Sequence, residues 1–181
     1  MITTEAGTIL PKTLDEFINW ESTDGFKYEW NDGELIRFTG MKRNHLRLIQ
    51  LLNLLFDKTK AKQENALLLC EQDVQLTGIQ MRRPDMAYFS NEQIQASDDD
   101  EPIPAFCIEV ISSNDQLNDV KAKLREYFKH GVQVVWVILP EQDMVEVYTS
   151  VKNITICTDA DICSAKPVLD DFEISVKDLL S

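Results

Sequence analysis

Two acidic residues stand in surroundings that should not hold an unassisted charge. Glu109 is the only charge in residues 105–111, a near-continuous apolar run of the kind that forms a strand buried on both faces. A lone carboxylate there must pair with a cation, bind a metal or stay protonated. Arg82, Arg83 and Lys123 are its candidate partners. Asp85 follows Arg82-Arg83-Pro84 and leads the apolar stretch Met86-Ala-Tyr-Phe89. If these two strands pair, Asp85 and Glu109 lie side by side. Mg²⁺ takes one or two carboxylates and completes its octahedron with water and substrate phosphate. The expected chemistry is therefore Mg²⁺ or Mn²⁺ bound by Asp85 and Glu109, polarising a phosphate and lowering the pKa of a bound water.

Such a site also needs a cation near the water or the phosphate. A lysine two residues after Glu109 would project from the same strand face, but Ile111 stands there. The following helix offers a substitute. Glu109 lies roughly 10 Å back along its strand from Ser112. Lys123 lies roughly 10 Å along the helix from Gln116. A crossover helix runs antiparallel to its strand, so the two come level. Lys121 flanks the other side of the apolar stripe, and geometry alone does not choose between them.

The elements that must position these groups follow from pattern. Residues 13–20 read as a short helix, with Thr13 and Glu16 at capping-box spacing. Asn31-Asp32-Gly33 between strand-like runs 26–30 and 34–38 predicts a hairpin. Residues 44–62 predict one Leu-rich helix. Residues 67–76 and 84–89 predict two strands, with Gly78 at a turn between them. Residues 91–104 are polar, and the acidic run at 97–101 reads as a solvated loop with no calcium-loop pattern. Residues 113–130 predict the strongest helix, with Ser113 and Gln116 at its start and Gly131 at its end. Residues 132–139 form an apolar strand, and the 105–139 unit predicts parallel neighbours. Residues 144–148 and 153–157 alternate like half-exposed strands, and an exposed edge there predicts a homodimer. The resulting expectation is an α/β fold: a mixed central sheet flanked by helices, with an N-terminal helix and hairpin. One domain is expected over residues 1–181.

Composition removes several classes. Four cysteines at irregular spacing and two histidines do not make a zinc cluster. Cys70 and Cys107 read as reduced core thiols, and Cys157 with Cys163 as a pair that would bridge only in an oxidising compartment. No apolar run reaches the roughly 18 residues of a membrane span. The start lacks a basic-then-apolar leader, which predicts a cytoplasmic protein. No Ser/His/Asp set, phosphate-binding glycine loop or dinucleotide pattern is present. The net charge of −13 opposes tight grip on a polyanion, because DNA binders gain affinity by neutralising phosphates.

Several segments together resemble a known family. Arg83-Pro-Asp-Met-Ala-Tyr-Phe, Phe106-Cys-Ile-Glu-Val-Ile-Ser112, Asp119-x-x-x-Lys123-x-x-x-Tyr127 and Gly131-Val-Gln-Val-Val-Trp-Val-Ile138 occur in that order. With Tyr28-Glu-Trp-Asn-Asp-Gly-Glu34 and His45, they resemble the Uma-type putative restriction endonuclease family, a branch of the PD-(D/E)xK superfamily. The resemblance implies a restriction-endonuclease-like core and Mg²⁺-dependent hydrolysis of phosphodiester bonds, with DNA as partner. Its acids fall on Asp85 and Glu109, and its displaced lysine on Lys123 and not Lys121. A family Glu falls on Glu29, with two roles open to it, approach to the metal or a hydrogen bond to the turn, and we expect the turn. Asp73 is expected to face solvent and His45 to cap or pack its helix. Ser112-Ser113-Asn114 and Leu139-Pro140 depart from the family pattern without touching the chemical groups. A catalytically silent binding module on the same fold, or an enzyme acting on small phosphorylated substrates, suits the acidic charge better.

Overall fold

The computed structural model describes residues 10–24, 26–38, 43–97, 101–111 and 117–181. Thr13 opens helix α1 (Leu14–Ile18) by accepting the Glu16 N–H at 3.1 Å. Glu16 reaches back to the Lys12 N–H, one residue before the reciprocal partner of a full capping box. Strands β1 (Lys27–Asn31) and β2 (Glu34–Phe38) form the expected hairpin. Both turn residues, Asp32 (φ 47°) and Gly33 (φ 85°), are left-handed, as a two-residue turn of this twist demands.

The helix expected over 44–62 is two. Helix α2 (Arg43–Phe56) ends where Thr59 donates to the Phe56 carbonyl at 2.7 Å. Thr59 then accepts the Lys62 N–H at 3.2 Å and caps α3 (Lys60–Gln63). The strand expected over 67–76 also divides. Glu71 takes a left-handed φ of 52°, separating β3 (Leu67–Cys70) from β4 (Val74–Thr77). The chain turns at Gly78 into β5 (Gln80–Arg82), then β6 (Met86–Phe89). The expected antiparallel pairing is present but split: β4 pairs β5 in one sheet, and β3 pairs β6 in another. Cys70, at the end of β3, is exposed, which corrects its reading as a core thiol; Cys107 is fully buried.

After the short α4 (Asn91–Ile94) come β7 (Phe106–Val110), α5 (Leu117–Lys129) and β8 (Val134–Leu139). Strands β7 and β8 are parallel, as the strand–helix–strand pattern requires. The predicted cap of α5 at Ser113, the Ser112-Ser113-Asn114 departure and the centre of the acidic run at 97–101 lie outside the described residues. Pro140 ends β8 by opening a single 3₁₀ turn. Strands β9 (Met144–Ser150) and β10 (Asn153–Thr158) complete the main sheet. Beyond residue 157 the sequence patterns predict no element, yet β11 (Ile162–Ser164), β12 (Glu173–Ser175) and α6 (Val176–Leu180) follow.

The main sheet is six-stranded and mixed, in the order β10-β9-β8-β7-β6-β3. Its period of two sorts β7 and β8 between two cores. Phe106, Ile108, Val110, Trp136 and Ile138 pack with Leu48, Leu52 and Phe56 of α2 and with Phe172. Cys107, Val135 and Val137 pack with Leu124 and Tyr127 of α5. The second sheet, β2-β1-β5-β4, packs with Phe17 of α1 in a separate hydrophobic cluster that includes Tyr28, Trp30 and Met81. No helix among the described residues is long and apolar enough to cross a membrane.

Candidate active site

Alternation along β7 puts Glu109 on the same face as Cys107, toward α5. Glu109 is only 7% exposed. Strands β6 and β7 are antiparallel, with Met86 opposite Ile108 and Ala87 opposite Cys107. One residue further in that register, Asp85 stands opposite Glu109. A hydrogen bond fixes it there: Asp85 Oδ2 accepts the Val110 N–H at 2.6 Å. The two acids therefore lie side by side, with Asp85 half-buried.

Helix α5 brings the cation. Lys123 and Tyr127 are four residues apart and share one helical face. The Lys123 Nζ lies 3.0 Å from the Glu109 carboxylate, and the Tyr127 hydroxyl donates to Glu109 Oε1 at 2.7 Å. Lys121 is elsewhere, donating to the Tyr148 hydroxyl and lying 3.6 Å from Glu146. Of the two lysines the sequence leaves open, Lys123 is the one that meets Glu109.

Glu29 departs from expectation. It does not hold the Asn-Asp-Gly turn. Its Oε1 takes Lys123 Nζ at 2.7 Å and the Arg83 N–H at 3.0 Å, and its Oε2 meets Arg82 Nη1 at 3.2 Å. Arg82, 3% exposed, is clasped from the other side by Glu126 of α5 at 2.7 Å. Lys123 also donates to the Arg83 carbonyl at 3.3 Å. Asp73, expected to face solvent, grips the Arg83 guanidinium with both oxygens at 2.7 Å. His45 is buried at the start of α2, near enough to Asp85 to influence its charge.

Sequence reasoning offered Arg82 and Arg83 only as partners for Glu109, whereas they pair with Glu29 and Glu126 and with Asp73; it missed Glu126 and Tyr127 as members of this network. The Lys123–Tyr127 spacing was the available signal, since it places both side chains over one strand.

The electrostatics describe a site short of positive charge. Lys123 and Arg82 face four carboxylates: Glu29, Asp85, Glu109 and Glu126. Glu109 is raised to about 7: burial pushes it up most, the Lys123 charge pulls it back, and Asp85 and Glu29 push it up again. Burial also raises Asp85, offset in part by the Val110 N–H and Lys123. Burial acts against the charge on Glu29, but Lys123, Arg82 and the Arg83 N–H outweigh it and hold Glu29 below its usual value. Lys123 is likewise kept protonated against burial by Glu109 and Glu29.

A divalent ion fits this arrangement. Two hard oxygen donors sit together with negative charge left over, and each carboxylate has lone pairs beyond the hydrogen bonds described. Among the described residues no three His, Cys, Asp or Glu side chains gather into a closed cage.

A model of the Uma2 family, described as "Putative restriction endonuclease", matches residues 14–177. The chain belongs to that family. By family it is a restriction-endonuclease-like nuclease. The fold is shared with a putative nuclease belonging to DUF820 from Anabaena variabilis ATCC 29413, with a TM-score of 0.80 and 22% identity. That likeness covers 94% of this chain and 98% of the other. No curated protein matches the chain.

Proposed function

We propose that this family member is a metal-dependent endonuclease of PD-(D/E)xK type that hydrolyses phosphodiester bonds of DNA, and that residues 1–181 form one restriction-endonuclease-like domain. The observation that carries the reading is the meeting of Lys123 with Glu109, 3.0 Å apart, where the register sets Glu109 opposite Asp85. In this reading Asp85, Glu109 and Lys123 are the catalytic residues, and Asp85 and Glu109 hold Mg²⁺ or Mn²⁺. When bound, the ion polarises the phosphate and acidifies a water. Lys123 supplies a fixed ammonium beside the reacting phosphate, oriented in advance by Glu29 and the Arg83 carbonyl. Tyr127 holds the Glu109 carboxylate in place. Incubation of plasmid and single-stranded DNA with Mg²⁺ or Mn²⁺, with chelator as control, tests this directly. Absence of cleavage under every metal would favour the catalytically silent binding module.

Metal binding is expected to depend on pH in a definite direction. Glu109 must lose its proton to bind, so affinity should strengthen as pH rises through about 7 and binding should release protons. Without metal, the folded carboxyl holds its proton to a higher pH than the ordinary value of 4.5. The metal-free protein should therefore lose stability as pH rises between about 4.5 and 7, then level off. Calorimetry with Mn²⁺ at several pH values reads the first effect. Asp85→Ala should abolish the binding event, and equal binding by that variant would remove Asp85 from the site.

We also propose a homodimer. Strand β9 is interior, so the exposed edge belongs to β10, where Ile154 is 42% and Ile156 59% exposed. Pairing there would give an acidic chain two sites for one duplex. Light scattering should report twice the monomer mass, and a monomer at working concentration would refute it.

A further inference from the structure

Helix α5 carries a second charged residue one turn from Lys123. Glu126, three residues on, shares its face. One Glu126 oxygen lies 2.7 Å from both Nε and Nη2 of Arg82. Arg82 Nη1 lies 3.2 Å from Glu29 Oε2, and Glu29 Oε1 lies 2.7 Å from Lys123 Nζ. These contacts close a ring that leaves α5 at Lys123 and returns to it at Glu126. We infer that Arg82 and Glu126 are positioning residues: through Glu29 they hold the Lys123 ammonium in its place beside Glu109. The inference rests on the nuclease reading and deepens it by naming what aims the lysine.

Strand alternation builds the ring. In the second sheet Trp30 stands opposite Met81, and both join the hydrophobic cluster with Phe17. One residue further in that antiparallel register, Glu29 stands opposite Arg82. Both point to the other face of the sheet, where α5 supplies their partners. Arg82 is buried, a costly place for a charge unless its partners are well placed. Its guanidinium is planar, rigid and permanently charged. Glu29 takes Nη1, while Glu126 takes Nε and Nη2. Different edges of one plane therefore fix the two carboxylates relative to each other.

Lys123 is the residue that needs aiming. Its charge rides on a flexible four-carbon stem. An ammonium has three donors, and here they go to Glu29, to Glu109 at 3.0 Å and to the Arg83 carbonyl at 3.3 Å. The Glu29 contact is the shortest of the three, so a shift of Glu29 carries the ammonium with it. In a reacting site a misplacement of about 1 Å can cost on the order of 10²-fold in rate.

Glu126 is the informative member of the ring. Among the described residues its carboxylate pairs with Arg82 alone. It meets none of Lys123, Glu109 and Asp85, so any effect it has on the chemistry passes along the ring. The ring also ties the second sheet to α5. A tie alone would change stability and leave the lysine where it is, and that difference can be measured.

The first measurement needs neither metal nor cleavage. In ¹⁵N spectra of the metal-free full chain, the Lys123 ammonium signal is assigned by its loss in Lys123→Met. It should move in Glu126→Gln, which keeps an acceptor oxygen and removes the charge. It should also move in Arg82→Lys, which keeps the charge and removes the planar fork. Arg125→Gln, an exposed change on the same helix, should leave it in place. The second measurement is a double-mutant cycle in DNA cleavage. Glu126→Gln should lower kcat and kcat/KM alike, by about tenfold. Placed on Lys123→Met, the same change should add less than about twofold. Circular dichroism shows which variants fold, and if Glu126→Gln does not, Arg82→Lys replaces it in both measurements. An ammonium signal unmoved by either change, or a rate loss that simply adds to that of Lys123→Met, overturns the inference and leaves the ring as a tie between sheet and helix. A wild type that cleaves nothing under any metal overturns the nuclease reading instead, and the ammonium signal then decides the positioning alone.

Discussion

Lys123→Met is expected to lower DNA cleavage by a factor on the order of 10² or more, while Lys121→Met leaves it near the wild-type rate. The two lysines are two residues apart on one helix, yet their surroundings differ. Lys123 Nζ sits between Glu29 and Glu109 in a buried network. Lys121 makes a half-exposed contact with Glu146 and Tyr148, of the sort that contributes about 0–1 kcal/mol. Because Lys123 is not a free surface group, its removal should also cost stability. Breaking a buried pair costs about 3–5 kcal/mol when the partner charge is stranded, and Glu29 and Glu109 retain other partners that lessen this. Cleavage must therefore be measured below the variant's own melting temperature, with circular dichroism showing the fold. Loss of cleavage with Lys121→Met alone would shift the motif by two residues. Full activity in both variants would make Lys123 a structural ion-pair partner and nothing more.

Glu29→Leu is expected to destabilise the protein by roughly 3–5 kcal/mol. The carboxylate serves three donors at once: Lys123, Arg82 and the Arg83 N–H. Its loss leaves Arg82 with Glu126 alone and the Arg83 N–H without its acceptor. Urea denaturation should show a lower midpoint at unchanged slope. A second effect is electrostatic. Glu29 is one of the charges that hold Glu109 up near 7, and without it Lys123 faces Glu109 with less competition. The acid limb of the cleavage profile should then move to lower pH. A loss under about 1 kcal/mol with an unmoved profile would mean that Glu29 neither holds the network together nor sets the charge on Glu109.

The parts of the fold that the sequence made legible are those where one local rule decides. The Asp32-Gly33 turn and the parallel β7–α5–β8 unit follow from turn chemistry and hydrophobic period. Asp85 and Glu109 stood out because each is a charge in an apolar strand setting. The breaks at Thr59 and Glu71 were not legible. Each is an ordinary polar residue in a segment of the right pattern, and a left-handed glutamate gives no glycine signal. The ion pair of Arg82 with Glu126 was hidden for a different reason. Each residue lies on an amphipathic element where a charge is expected to meet water. Only the approach of β1, β5 and α5 in space turns those charges toward one another. Glu29 alternates with Tyr28 and Trp30, so its pattern resembles a solvated strand face.

The alternation of β7 also governs which changes of length this chain can absorb. Inserting one residue between Phe106 and Glu109 would carry Glu109 to the opposite face, among Leu52, Phe56 and Trp136. The carboxylate would then be buried without Lys123 or Tyr127, and Asp85 would face an apolar side chain. The same insertion between Asn91 and Ile103, ahead of the strand, alters no pairing because the β6–β7 register is set by the strands themselves. Length variants of this protein should therefore gather in that connection, and circular permutation or peptide insertion is best attempted there.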